Sequence, residues 1–173
     1  FIRELVPGAV KLAILVNPSN AGTRNYVADA METGRSFNLS IAVVEVARAE
    51  DFPNAFAMIR STRPDGLLVV DDLLIGGHRV QVIAFAASAR LPAIYGNASI
   101  VRDGGLVSYG PLFAEHYVMA AGYVDRILKG AKPADLPVEQ PTRFEHIINL
   151  KTAKALRLTI PQSLFMRAEE VIQ

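Results

Sequence analysis

The sequence has no cysteine, no excess of charge of either sign and no long apolar run. The absence of cysteine excludes disulfides, thiolate catalysis and cysteine-based metal sites. The 18 basic and 17 acidic side chains leave a formal charge of +1, which gives no electrostatic reason to expect nucleic acid or an anionic membrane as a partner. No stretch reaches the roughly 18 apolar residues of a transmembrane helix, and no signal peptide is visible.

The 173 residues are enough for one domain with a core, or for one domain with an appendage. Apolar residues make up 51% of the chain and charged residues 20%, as is usual for a globular protein. The chain starts at Phe1 without a methionine, and residues 1–8 resemble the end of a helix closed by Pro7 and Gly8. We therefore expect a fragment from which an N-terminal part has been removed.

The stretch around which the chain is organised is residues 12–23. Residues 12–16 are an unbroken apolar run, typical of a central strand covered on both faces. Residues 17–20 are turn formers, and a helix is predicted over residues 22–37. Such a turn brings free backbone N–H groups and polar side chains to the end of the sheet at which open α/β folds bind ligands.

The same alternation of strand and helix continues along the chain. Further strands are predicted at residues 41–46, 67–70, 91–95 and 106–109, and helices near 52–59, 79–90 and 112–128. Asp51 is the predicted N-cap of the helix that starts at residue 52. Connections of this length imply right-handed crossovers. The sequence therefore predicts an α/β fold with a parallel sheet and helices on both faces.

The tail from residue 133 onward differs from this pattern. Residues 133–141 form a proline-bearing connector, followed by a strand at 144–150 and a helix at 151–156 that Asn149 caps. Thr159 and Gln162 have the spacing of a capping box, which predicts an amphipathic helix over residues 164–172. Two placements remain open for the tail: a neighbouring lobe, or the edge of the sheet.

Polar residues follow four of the predicted strands, at residues 17–20, 71–72, 95–97 and 108–109. In a parallel sheet the carboxyl ends of the strands lie along one edge, so the four clusters are expected to converge. Each cluster alone has an ordinary explanation, because strand ends meet water and cap helices. Their convergence favours a ligand site.

The adjacent carboxylates of Asp71 and Asp72 are the most specific local indication of a binding site. One would be stabilised by the dipole of the following helix, and the other would pair with a cationic ligand group or with Mg²⁺. A phosphoryl-transfer site is disfavoured, because a phospho-receiver domain needs its acidic pair after the first strand, where this chain has Asn17 and Pro18.

The other candidate binding residues are Ser19, Asn20, Tyr95 and Tyr109. Ser19, Asn20 and nearby backbone N–H groups are suited to hold a carboxylate, although an ordinary turn with an N-cap has the same composition. The two tyrosines are suited to stack on an aromatic or apolar ligand, the alternative being half-buried core residues.

No catalytic machinery is visible in the sequence. The three histidines are far apart and lack metal-ligand spacing, and neither a dinucleotide-binding glycine loop nor a Gly-x-Ser-x-Gly motif is present. We predict ligand binding without catalysis, with no cofactor and no metal. An enzyme would need a carboxylate of strongly perturbed pKa, which only Asp71 or Asp72 could supply.

Several stretches together resemble one protein family. They are residues 6–8 with 12–18, then GGLVSYG at 104–110, AGYVDRILKG at 121–130, KPADLPVEQPT at 132–142 and INLKTAKAL at 148–156. These segments resemble the substrate-binding proteins of ABC transporters, in particular the type described as tryptophan/tyrosine transport binding proteins. The resemblance covers essentially the whole chain.

The resemblance implies one lobe of a type I periplasmic-binding-protein fold, in which two α/β lobes close on a small ligand. Residues 1–132 would form a flavodoxin-like lobe, within which residues 104–130 would pack on the absent first lobe. Residues 133–173 would supply a hinge-crossing connector, an edge strand and C-terminal helices. The uncovered apolar helix face would then favour self-association of the fragment.

The implied function is that of the solute-binding component of an ABC import system, which presents an amino acid or aromatic-type compound to a membrane permease. A periplasmic, or otherwise extracytoplasmic and membrane-tethered, location follows. Asp72 would face the ligand ammonium, while Ser19 and Asn20 face the cleft. The family pattern has polar residues where this chain has Leu73 and Leu74, which indicates a more apolar site. The alternative is a ligand-sensing regulatory module with the same fold.

Overall fold

A seven-stranded sheet with helices around it organises the chain, and the computed structural model describes all of residues 1–173. The strands are β1 (Lys11–Val16), β2 (Ser40–Glu45), β3 (Gly66–Val69), β4 (Ala93–Tyr95), β5 (Val107–Pro111), β6 (Phe144–Asn149) and β7 (Glu170–Ile172). Their order in the sheet is β2-β1-β3-β4-β5-β6-β7. The first five strands pair in parallel, which confirms the predicted α/β class.

Nine helices surround the sheet. They are α1 (Ile2–Leu5), α2 (Thr23–Ser36), α3 (Phe52–Thr62), α4 (Leu73–Gly77), α5 (Arg79–Ser88), α6 (Ala98–Arg102), α7 (Phe113–Leu128), α8 (Leu150–Ala155) and α9 (Gln162–Phe165). The longer helices agree with the sequence prediction to within a few residues. Helices α4 and α6 were not predicted, because five residues are too few for an apolar periodicity to be recognised.

Alternate side chains of the strands enter two separate cores. Leu67, Val69 and Tyr95 belong to a cluster of 20 buried residues that includes side chains of α3 and α5. Ile94 and Val107, which point to the opposite face, belong to a cluster of seven that includes residues of α8 and α9. Strand β1 lies between β2 and β3 and is buried on both faces, as its unbroken apolar run predicts.

Asp51 stands at the N-cap position of α3, as predicted, but its side chain does not cap that helix. Its carboxylate accepts hydrogen bonds from the backbone N–H groups of Ala47 and Arg48, both at 2.9 Å. These bonds close the short 3₁₀ turn Ala49–Asp51 that precedes α3, and no side chain caps α3 itself. The cap at Asn149 is confirmed, since its Oδ1 atom accepts from the N–H of Thr152 at 3.1 Å.

The end of the chain also differs from the prediction of a helix over residues 164–172. Helix α9 ends at Phe165 and follows Pro161 without a side-chain cap, so the predicted capping box is absent. Residues Glu170–Ile172 instead form β7, which pairs in parallel with β6. The β-branched Val171 and Ile172 suit a strand, and β6 offers an open edge to pair with. Strand β6 itself runs antiparallel to β5, so the sheet is mostly and not wholly parallel.

Helix α7 is the one long helix without a buried residue. Its apolar side chains Tyr117, Val118 and Leu128 are 73–82% exposed. The helix is held at its start by the ion pair of Glu115 with Arg143, and the hydroxyl of Tyr123 donates to the carbonyl of Pro137. Its apolar surface is therefore uncovered in this chain. No helix of the structure combines the length and the apolar character that crossing a membrane would require.

The backbones of β5 and of the loop after β4 come into close contact at two glycines. A Cβ atom at Gly110 would collide with the carbonyl oxygen of Gly96. This contact brings the end of β5 against the loop that carries Asn97, which lies beside the candidate site described below.

We predict that Gly110→Ala lowers the free energy of unfolding by about 1–3 kcal/mol, because the added methyl group forces the two backbones apart. The measurement is urea denaturation. The matched control is Gly122→Ala in α7, where an added Cβ meets nothing within 4 Å. That variant should be neutral or stabilising by up to about 1 kcal/mol. Equal losses in the two variants would contradict the close-contact argument.

Candidate functional site

The loops after β1, β3 and β4 meet at the carboxyl edge of the sheet. The side-chain amides of Asn17 and Asn20 donate from Nδ2 to the two oxygens of Asp72, at 3.1 and 3.0 Å. The amide of Asn97 donates to Oδ1 of Asp71 at 3.2 Å. Three of the four polar clusters are therefore joined by direct hydrogen bonds, as expected for neighbouring parallel strands.

The first loop is shaped by its own asparagines. The Oδ1 atom of Asn17 accepts from the N–H of Ser19 at 2.9 Å, and that of Asn20 accepts from the N–H of Gly22 at 3.0 Å. The hydroxyl of Thr23 donates to the carbonyl of Asn17 at 2.6 Å. Because each amide oxygen accepts from the backbone, each amide nitrogen is directed to Asp72. The side chain of Ser19 is exposed beside this loop.

The second loop places Asp72 at the start of α4. Its Oδ1 atom accepts from the N–H of Leu74 at 2.8 Å and that of Ile75 at 3.4 Å, which makes Asp72 the N-cap of this helix. Together with the two asparagine amides, four donors surround the carboxylate. Burial acts to raise the pKa of Asp72, but these hydrogen bonds outweigh burial and hold the pKa below its ordinary range.

The third loop is arranged in the same way by Asn97. Its Oδ1 atom accepts from the N–H of Ser99 at 2.9 Å and from the hydroxyl of Ser99 at 2.7 Å, so that Asn97 caps α6. Since the amide oxygen is occupied, the amide nitrogen is the group that reaches Asp71. Both caps could have been found from the sequence, because Asp72 and Asn97 each lie within three residues of the end of a strand and precede a short apolar segment.

These loops border an open cleft of about 1080 Å³. Its apolar side is formed by Leu73, which is 96% exposed, and by Phe113 and Tyr117 at the start of α7. Two arginines also border the cleft, but both are paired: Arg79 with Asp103 at 2.5 Å, and Arg102 with Glu170 and Glu145 at 2.8 and 3.3 Å. Sequence reasoning missed the α7 residues, because nothing local indicates that a helix 40 residues after Leu73 reaches the same cleft.

The fourth predicted cluster does not join this site. Tyr109 lies on the opposite face of the sheet, with its ring 5.0 Å from that of Phe1 and 5.5 Å from that of Phe144. There it lines a separate apolar cavity of about 220 Å³. The hydroxyl of the neighbouring Ser108 is fully buried without a hydrogen-bond partner.

Tyr95 lies in the core, with 1% of its surface exposed, and its ring packs against Gly105. Burial raises the pKa of its hydroxyl. In this position the ring of Tyr95 has no free surface for a ligand, because the core covers it. Neither Tyr95 nor Tyr109 lines the cleft. The predicted residues that do line it are Ser19, Asn20, Asp71 and Asp72.

Comparison with known proteins gives a family for this arrangement. The model of the family described as ABC transporter substrate binding protein matches residues 1–172. The chain belongs to this family. The resemblance seen in the sequence is thereby confirmed.

Two solved structures share the fold of this substrate-binding protein. One is an ABC domain in complex with L-Trp from Streptococcus pneumonia, with a TM-score of 0.92, 26% identity, and coverage of 99% of this chain and 58% of that one. The other is a conserved domain protein from Vibrio cholerae, with a TM-score of 0.92, 23% identity, and coverage of 98% and 57%. These likenesses confirm the periplasmic-binding-protein-like fold.

A curated relative is the tyrosine-binding protein of Clostridioides difficile, which is 23% identical over 172 residues. The match covers 98% of this chain and 50% of that protein. This chain of the substrate-binding family therefore spans about half the length of the curated relative it matches. No group of three or more His, Asp or Glu side chains in the structure is arranged to hold a metal ion.

We predict that Asp72→Asn lowers the free energy of unfolding at pH 7 by about 1.5–3 kcal/mol, the usual loss when hydrogen bonds to a charged group are broken. Because folding lowers the pKa of Asp72, its stabilisation is complete above the ordinary Asp pKa of about 3.9 and is lost as the pH falls below it. The variant should therefore lose less stability than the wild type between pH 6 and pH 3.

The measurement is urea denaturation at a series of pH values. The matched control is Asp135→Asn, since Asp135 carries an exposed carboxylate in the turn Pro133–Asp135. That variant should change the free energy of unfolding by less than about 0.5 kcal/mol. An Asp72→Asn variant as stable as this control would contradict the structural role of Asp72.

Proposed function

We propose that this chain is one ligand-binding lobe of the solute-binding component of an ABC import system, and that it binds an aromatic amino acid. The observation that carries the proposal is the pair of carboxylates, Asp71 and Asp72, at a sheet-edge cleft in a chain of the substrate-binding family. The names of two relatives support the choice of ligand, since one is a tyrosine-binding protein and the other a complex with L-Trp.

The chemistry of the cleft suits such a ligand. Its volume of about 1080 Å³ lies just above the range of roughly 300–1,000 Å³ for small-molecule sites. Carboxylates complement an ammonium group, and the exposed Leu73 with Phe113 and Tyr117 offers an apolar surface to an aromatic ring. Ser19 and Asn20 border the same cleft and supply further polar groups for anchoring the ligand.

We infer that a second lobe completes the cleft in the full-length protein. The chain spans about half of its curated relative, and the apolar surface of α7 is uncovered. In this proposal residues 1–132 form one lobe, residues 104–130 contact the other lobe, and residues 133–173 cross between the lobes and finish the sheet. The ligand would then be bound between the two lobes.

Binding, without catalysis, is the whole function proposed for this site. A ligand that contacts both lobes shifts the equilibrium toward the closed form in proportion to its preference for that form. The closed form would be presented to the membrane permease of the transporter, in the periplasm or another extracytoplasmic location. The family to which the chain belongs supports this role.

The test is a thermal-shift screen of the full-length protein against the 20 amino acids, aromatic acids and small sugars. L-tyrosine or L-tryptophan at a hundred times its dissociation constant should add about 2.7 kcal/mol to the free energy of unfolding. Stabilisation by sugars alone would overturn the proposed ligand class. No stabilisation by any compound would favour a ligand-sensing module with an unrelated ligand.

We predict that residues 1–173 produced alone self-associate through α7, because its apolar side chains have no cover. Light scattering should give a mass above that of the monomer, 18.8 kDa. The double variant Val118→Lys with Leu128→Lys should restore the monomer. Met58→Lys, a change at an exposed methionine of α3, is the control and should not. A strictly monomeric wild-type chain would count against an uncovered lobe contact.

A further inference from the structure

The two neighbouring carboxylates of the cleft differ in how many of their acceptor positions are already used. A carboxylate has about four lone-pair positions. Asp72 accepts from four donors: the amides of Asn17 and Asn20 and the N–H groups of Leu74 and Ile75. Its hydrogen bonds tie the β1 loop to the start of α4. Three of these donors converge on Oδ1, which leaves that oxygen no position for a ligand, while Oδ2 accepts only from the amide of Asn20.

Asp71 is in the opposite situation. It is half-buried at the border of the cleft, and its carboxylate has one partner, the amide of Asn97, which contacts Oδ1 at 3.2 Å. Its Oδ2 atom accepts no hydrogen bond in the structure. The backbone around it is constrained, because a Cβ atom at Gly96 would lie only 3.1 Å from the Cβ of Asp71. The free oxygen is therefore carried by a well-positioned residue.

Asn97 contributes the complementary group. Its amide oxygen is fully used by the N–H and hydroxyl of Ser99, so the amide orientation is determined. Its nitrogen carries two hydrogens and donates one of them to Asp71. The pair therefore offers one unused anionic acceptor and one unused donor next to each other at the cleft. An amino acid carries the matching groups, an ammonium and a carboxylate, one carbon apart.

We propose that the Asp71–Asn97 pair binds the charged end of an amino acid ligand, with Asp71 accepting from the ammonium and Asn97 donating to the carboxylate, while Asp72 is a positioning residue. The proposal rests on the proposed function and assigns the ammonium contact to Asp71 in place of Asp72. It also makes the ligand specificity of this cleft depend on the α-amino group, since only that group meets the free Oδ2 atom of Asp71.

The experiment measures dissociation constants by calorimetry for the full-length protein with L-tryptophan and L-tyrosine. Tryptamine and tyramine, which lack the carboxylate, and the corresponding arylpropionates, which lack the ammonium, are the comparison ligands. Asp71→Asn should weaken the binding of the amino acid and of the amine at least tenfold, and the binding of the arylpropionate less than threefold. Asn97→Asp keeps the acceptor that caps α6 but loses the donor, and should weaken the amino acid and the arylpropionate more than the amine.

Asp72→Asn separates a positioning role from a direct contact. If Asp72 only positions the loop, its loss should weaken the binding of the amino acid, the amine and the arylpropionate by similar factors. If Asp72 contacts the ammonium, its loss should leave the affinity for the arylpropionate unchanged. Asp135→Asn is the control for removal of one negative charge and should leave all affinities within twofold. Thermal midpoints of each variant verify that it is folded, and Asn97→Asp tests the pair independently if Asp71→Asn does not fold.

The outcomes distinguish this proposal from the proposed function. If the wild type binds L-tryptophan or L-tyrosine and Asp71→Asn leaves that affinity within twofold, the assignment of Asp71 is overturned and the function stands. An ammonium-selective loss in Asp72→Asn would likewise overturn the assignment alone. If the wild type binds neither amino acid, the proposed function fails and this assignment fails with it.

Discussion

The carboxylate of Asp72 is the interaction on which the candidate site depends. It accepts hydrogen bonds from the side-chain amides of Asn17 and Asn20, in the loop after β1, and from two backbone N–H groups at the start of α4. A half-buried carboxylate is tolerated only when its lone pairs are satisfied, and here satisfaction requires two loops more than 50 residues apart in sequence to meet. The polar edge of the sheet is organised by this one group.

The sheet makes that meeting possible. Parallel pairing of β1 with β3 and of β3 with β4 aligns the carboxyl ends of these strands. The loops that follow them therefore start side by side along one edge of the sheet. Two of these loops then begin a short helix whose N-cap is itself a cleft residue, Asp72 or Asn97. The same side chains therefore stabilise the local backbone and position polar atoms at the cleft.

The apolar surface has an asymmetric distribution. Both faces of the sheet carry buried cores, yet the 16 residues of α7 bury none of their side chains. The start of that helix borders the cleft and the rest extends the uncovered surface. An amphipathic helix without a partner is unusual in a folded chain, because most of the stability of a helix comes from packing of its apolar face. The cleft and the uncovered surface of α7 are therefore continuous with each other.

Local patterns in the sequence determined the class of the fold, the long helices and the central strand, since an apolar run or an apolar periodicity is a property of neighbouring residues. They also identified Asp71, Asp72, Ser19 and Asn20 as polar residues at strand ends. Tertiary structure decided the rest. The end of the chain became β7 because the edge of β6 was open, and Tyr95 became a core residue while Tyr109 faced the other side. Which of two adjacent carboxylates keeps a free oxygen depends on donors from Asn17, Asn20 and Asn97, and contacts between residues so far apart in the chain exist only once the sheet has formed.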